Sequence, residues 1–115
     1  MVNSWTLRFM GNNYTLDMNT LDNLIGDGEE LFDVIYNNKE SDYGEPGDIF
    51  DMIGMQIISD YLYDNADDPE ELSDMDEYEI MEEFELPDNI IFTNGEDEYI
   101  FDVEIGIESF LYNLD

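Results

Sequence analysis

The chain contains no cysteine and no histidine, and its 115 residues include only two bases, Arg8 and Lys39. Without cysteine there is no disulfide framework, thiolate zinc site or sulfur nucleophile. Without histidine the usual general base and the commonest metal ligand are missing. Alanine occurs once, at Ala66, against twelve isoleucines and eleven asparagines. That usage argues against salt adaptation, which favours small residues. It fits an AT-rich gene, which ordinarily supplies many lysine codons, so a single lysine marks selection against bases. The first residues, MVNSWTLRFM, have neither a basic n-region nor an apolar h-region, and no stretch is long enough to span a bilayer. A cytoplasmic protein without membrane contact is the expectation.

The chain is instead rich in acid. Thirty-two Asp and Glu give a net charge of −30 in 13.5 kDa. Charge of one sign on that scale opposes any compact state. Hydrophobic residues still make up 43% and aromatics 14%, enough for a globular core in one domain over 1–115. Between residues 60 and 88, fourteen of 29 positions are acidic and none is basic. Apolar residues such as Tyr61, Leu72, Met75, Ile80, Met81, Phe84 and Leu86 run through this stretch. A disordered acidic tract lacks the apolar area that offsets ordering entropy. This one has it, and so reads as carboxylates held on a folded scaffold.

Periodicity predicts an α+β fold with two antiparallel hairpins, over about 5–19 and 90–104. About four helices pack with them, over about 21–38 in two pieces, 49–63, 70–84 and 106–114. Gly11-Asn12 and Asn94–Asp97 supply the hairpin turns. Thr20 opens the first helix, Asp27 with Glu30 forms a capping box for its second piece, and Asp48 caps the apolar core helix. Pro69 suits a first helical position and Pro87 is a stop. Within 70–84, Leu72 and Met75 lie on one side while Ile80, Met81 and Phe84 point largely to the other, which predicts a kink or a two-sided environment. Both chain ends read hairpin then helix. The match of Phe9, Tyr14, Asp17 and Met18 to Phe92, Tyr99, Asp102 and Val103 is no more than two hairpins of similar composition share by chance.

Paired carboxylates serve glycoside hydrolysis, but among 32 acids some pairs fall at useful distances by accident. No phosphate-binding glycine loop or nucleophile elbow is present, and the chain reads as a non-enzyme without cofactor. The EF-hand pattern requires glycine at its sixth position. Asp64–Pro69 has proline there, and Asp74–Glu79 has glutamate, so no specific metal site is expected.

Residues 70–86 hold nine acids. Taken as one helix rising ~1.5 Å per residue, that is one charge per ~2.8 Å. DNA carries one per ~3.4 Å on each strand and one per ~1.7 Å over both. An ordinary exposed helix mixes Glu with Lys at i, i+4, whereas Glu70/Asp74 and Glu79/Glu83 are like-charged neighbours. In size, acidity, base depletion and interleaved aromatics the chain resembles the small acidic DNA-mimic proteins. Many of these are phage-encoded inhibitors of restriction enzymes, CRISPR effectors or other nucleic-acid-binding proteins. No motif defines that class, so no residue is transferred by position.

The resemblance implies an inhibitor that occupies the basic DNA- or RNA-binding site of a target protein and binds no nucleic acid itself. The expected partner-binding residues are the fourteen acids of the stretch: Asp60, Asp64, Asp67, Asp68, Glu70, Glu71, Asp74, Asp76, Glu77, Glu79, Glu82, Glu83, Glu85 and Asp88. Asp42, Glu45, Asp48 and Asp51 back them. The rival expectation is an acidic chaperone or regulatory domain for a basic protein, without competition with nucleic acid.

Overall fold

A computed structural model describes residues 4–114. The α+β architecture is present: hairpin β1 (Thr6–Phe9) and β2 (Asn12–Thr15), hairpin β3 (Asn89–Thr93) and β4 (Glu98–Asp102), and helices around them. The hairpins join edge to edge. β1 pairs antiparallel with β3, with Leu7 opposite Phe92, giving one four-stranded sheet in the order β2-β1-β3-β4. Side chains alternate across a strand, which turns Leu7, Phe9, Ile90, Phe92 and Phe101 into the core. Arg8, Ile91 and Ile100 are exposed on the opposite face.

The helices are α1 (Met18–Leu24), α2 (Gly28–Asn37), α3 (Pro46–Asn65), α4 (Glu77–Glu83) and α5 (Val103–Leu114), with a 3-10 helix over Pro69–Asp74. α3 is the central element and buries Ile49, Phe50, Ile53, Ile57, Ile58 and Leu62. A β-carbon at its Gly54 would lie 2.5 Å from the Phe101 ring, and one at Gly106 of α5 would meet Ile58 and Phe101. Two missing side chains thus let Phe101 wedge between α3 and α5. Among the described residues no helix is long and apolar enough to cross a membrane.

Several local expectations shift. The first hairpin turns at Met10-Gly11, both with positive φ, as a two-residue type I′ turn demands, rather than at Gly11-Asn12. α1 begins at Met18, before Thr20, because the Asp17 carboxylate accepts from the Thr20 amide at 2.8 Å. Asp27 is left-handed and makes no side-chain cap, so the capping box with Glu30 is absent. Its carboxylate instead accepts from the Tyr43 hydroxyl. α3 starts at Pro46, not after Asp48. Glu45 is its cap residue, and the Glu45 amide donates to Asp48 at 3.0 Å. Pro46, outside the helix expected over about 49–63, is its first residue, where its missing N–H costs nothing. α5 opens at Val103 rather than 106, directly from the strand, with the Asp102 carboxylate accepting from the Glu104 amide at 2.9 Å.

Candidate acidic interface

The acidic stretch is built from the last turns of α3, the 3-10 helix and α4. The single helix expected over 70–84 is two pieces, Pro69–Asp74 and Glu77–Glu83, broken at Met75-Asp76. The break has a geometric cause. At ~100° per residue, Leu72 and Met75 would point ~120–180° away from Met81 and Phe84 on one continuous helix. Leu72 is buried here and the other three pack against the core. Interrupting the helix lets each side chain find the core. Asp68 restarts the chain by accepting from the Glu70 amide at 3.1 Å, and Asp76 does the same for the Glu79 amide at 2.8 Å. Acids at these positions are N-caps as well as charges.

Beneath them, Leu72, Ile80 and Leu86 are buried, and Phe84 meets the edge of Tyr61 at 6.5 Å between ring centroids. α4 ends with Glu85 in the left-handed conformation at φ 54°, while the Leu86 amide returns to the Met81 carbonyl at 2.9 Å. This is the closing bond of a Schellman motif, whose left-handed residue is usually glycine. Here it is one more carboxylate.

Of the fourteen acids, all but Glu77 are exposed. Seven of them surround two adjoining recesses that share Met75 and Glu83. One is lined by Glu79, Glu82, Glu83 and Glu85, the other by Asp67, Asp68, Glu71 and Glu83. Asp60 and Asp64 stand apart, beside Phe9 and Tyr14 against the first hairpin. Asp60 also accepts from the Gln56 side chain at 2.9 Å. Glu70, Asp74, Asp76 and Asp88 are exposed outside these recesses.

Glu77 turns away from the others. Its carboxylate lies within 4.8 Å of those of Glu104 and Glu108, one turn apart on α5. The Glu104 carboxylate, accepting from the hydroxyl beside it, raises the Tyr78 phenol above its ordinary value. These two α5 acids extend the interface and were missed in the sequence. The i, i+4 spacing of Glu104 and Glu108 is visible there, but nothing in it brings α5 beside α4.

The electrostatics are uncompensated. Among the described helices no last turn carries a base, and α4 ends on Glu82 and Glu83. Negative charge at a helix C-terminus opposes the helix dipole. No charged side chain is fully buried among the described residues, and most of the carboxylates are exposed. The irregular backbone also changes the charge spacing. The 3-10 helix carries three acids over ~12 Å at ~2 Å per residue. α4 carries four over ~10 Å at ~1.5 Å per residue. Against known proteins the chain matches no family model, no curated protein and no solved structure.

Proposed function

We propose that this chain is a nucleic-acid mimic that occupies the cationic groove of a DNA- or RNA-binding protein and inhibits it by competition. The observation that carries the reading is the exposure of thirteen of the fourteen acids between Asp60 and Asp88 on an ordered ridge with no base among them. Along α4 the three exposed ones, Glu79, Glu82 and Glu83, come one per ~3.5 Å, close to the single-strand value of DNA. A partner that neutralises phosphates with Lys and Arg meets carboxylates at comparable intervals here, without base readout. The anchors Leu72, Ile80 and Leu86 hold the backbone, so less ordering entropy opposes binding than for a disordered acidic tail.

The test begins with capture of basic proteins from a bacterial lysate, followed by binding measurements on the captured target. Saturating DNA or RNA should displace the chain, and affinity and on-rate should both fall as NaCl rises. The triple variant Glu71→Lys, Asp74→Lys, Glu82→Lys should bind ~100-fold more weakly or worse, from ~1–3 kcal/mol per charge-assisted contact with incomplete additivity. All three positions are exposed, so the fold should persist. A target that stays bound under saturating nucleic acid, or that binds the triple variant as well as wild type, would sink the mimic reading. The acidic-chaperone alternative would then stand.

A further inference from the structure

α3 ends beside the first hairpin around a recess of about 280 Å³, which Leu24 of α1 helps to close. Ile57, Asp60, Tyr61 and Asp64 stand at i, i+3, i+4 and i+7, so one face of α3 lines it. Ile57 is buried, and the Tyr61 ring meets that of Phe9 edge-on at 5.4 Å between centroids. The two carboxylates therefore continue the face that α3 turns towards the hairpin. The facing wall is aromatic and neutral: Phe9 and Tyr14, on a hairpin that has no acid before Asp17. Tyr14 and Tyr61 are half-buried, which leaves ring surface open at the recess. One Asp60 oxygen accepts from the Gln56 side chain at 2.9 Å, and nothing that lines the recess is basic. Arg8, the hairpin's one base, lies on the opposite face of the sheet. By contrast, the recess walled by Met75 and four glutamates has no ring.

From this arrangement we infer that the recess takes one arginine side chain of the target, its guanidinium held between the tyrosine rings and the two carboxylates. The inference rests on the mimic reading for a basic partner. It deepens that reading by giving Asp60 and Asp64, which stand apart from the other acids, a task of their own. The lining selects the occupant. It offers acceptors, from Asp60 and Asp64 with the amide oxygens of Asn12 and Asn65, beside aromatic surface. A guanidinium is planar, only donates, stacks on aromatic rings and meets carboxylates with a two-pronged fork. An ammonium is a compact, strongly hydrated charge that gains less from rings. An apolar side chain would leave the carboxylates without a counter-charge while stripping water from them. The size agrees, since pockets for drug-sized ligands begin at ~300 Å³.

N-acetylarginine amide and N-acetyllysine amide, equal in charge, supply the probes, in half-molar NaCl to suppress diffuse attraction. The arginine probe should shift the ring NMR signals of Tyr14 and Tyr61 saturably. It should bind about fivefold tighter than the lysine probe. Asp60→Asn with Asp64→Asn should weaken the arginine probe about tenfold and remove the preference. Glu70→Gln with Asp74→Asn removes the same charge outside the recess and should change neither affinity nor preference. Tyr14→Leu should abolish the preference, and Tyr14→Phe, which keeps the ring, should retain it. The isosteric asparagine pair keeps the assignment testable should the leucine disturb the hairpin. Equal affinities for the two probes, unmoved tyrosine signals, or equal weakening by the Glu70 and Asp74 pair would overturn the assignment. The last outcome would leave only net charge at work. DNA displacement of the captured target needs no arginine preference, and the probes need no target, so either reading can fail while the other stands.

Discussion

The sheet and the ridge over residues 60–88 are both solvent-facing, and they are built to opposite rules. The eighteen strand residues include two acids, Glu98 and Asp102, and the outward face presents Arg8, Ile91 and Ile100. The ridge has fourteen acids and no base. The sheet's inward alternation and the Phe101 wedge supply cohesion, and the ridge adds repulsion that this cohesion must offset. Self-repulsion has no structural benefit, and it is densest here, where 29 of the 115 residues hold fourteen of the 32 acids; this is the part that the proposed mimicry would use.

The sharpest way to break that comparison is to cut the core on each side. Phe101→Ala should cost ~3–5 kcal/mol, because Gly54 and Gly106 leave a slot shaped for the ring. Leu72→Ala, under the ridge, should fall nearer the ~2 kcal/mol end of the range for buried leucines, since a surface-proximal site relaxes more easily. Urea melts of the two variants decide. Equal losses would make the ridge an integral part of one core rather than a layer added to it.

Salt should act on the ridge next. Screening over a Debye length of ~10 Å at 0.1 M weakens repulsion among exposed carboxylates. Melting temperature should therefore rise by several degrees between low and half-molar salt, and less so in a variant with Glu79, Glu82 and Glu83 changed to Gln. A flat curve would mean that the acids are already compensated.

A smaller gain, ~0.5–1 kcal/mol, is expected from Glu85→Gly, which removes the β-carbon from a left-handed position. Met10→Gly, at the matching left-handed position of the first hairpin, should gain less or lose, because Met10 packs partly against the core. Thermal melts of the pair test whether the ridge keeps an acid where the backbone prefers none.

The smallest effect lies at alkaline pH. The Tyr99 hydroxyl donates to Asp51 at 2.7 Å, and that bond, with burial adding to it, pushes its pKa up to about 12. A raised folded-state value means that this contribution is complete below the ordinary tyrosine pKa of ~10. It is lost as pH rises through about 12. Tyr99→Phe should flatten that part of the stability profile. Tyr36, raised chiefly by burial, should leave a residual slope of the same sign.

Much of this was legible in the chain. Short β-prone runs on either side of turn residues marked both hairpins, and the apolar density of 49–63 marked the central helix. The interleaving of Leu72, Ile80 and Leu86 with acids announced an ordered ridge. The helix break at Met75-Asp76 showed only as two apolar faces that no straight helix could serve at once. Caps were less readable. Asp27 and Glu85 take left-handed conformations, and sequence marks those positions reliably only when glycine fills them.

The sequence by itself determined the charge, its concentration between 60 and 88, and the kinds of element that carry it, because composition and periodicity are local properties of the chain. Tertiary structure decided which carboxylates meet. It joined the two hairpins through β1 and β3, carried Glu104 and Glu108 to Glu77, and sent Asp60 and Asp64 to the first hairpin. The physical reason is that convergence depends on how buried side chains far apart in sequence, such as Phe101 between Gly54 and Gly106, set the distance between helices.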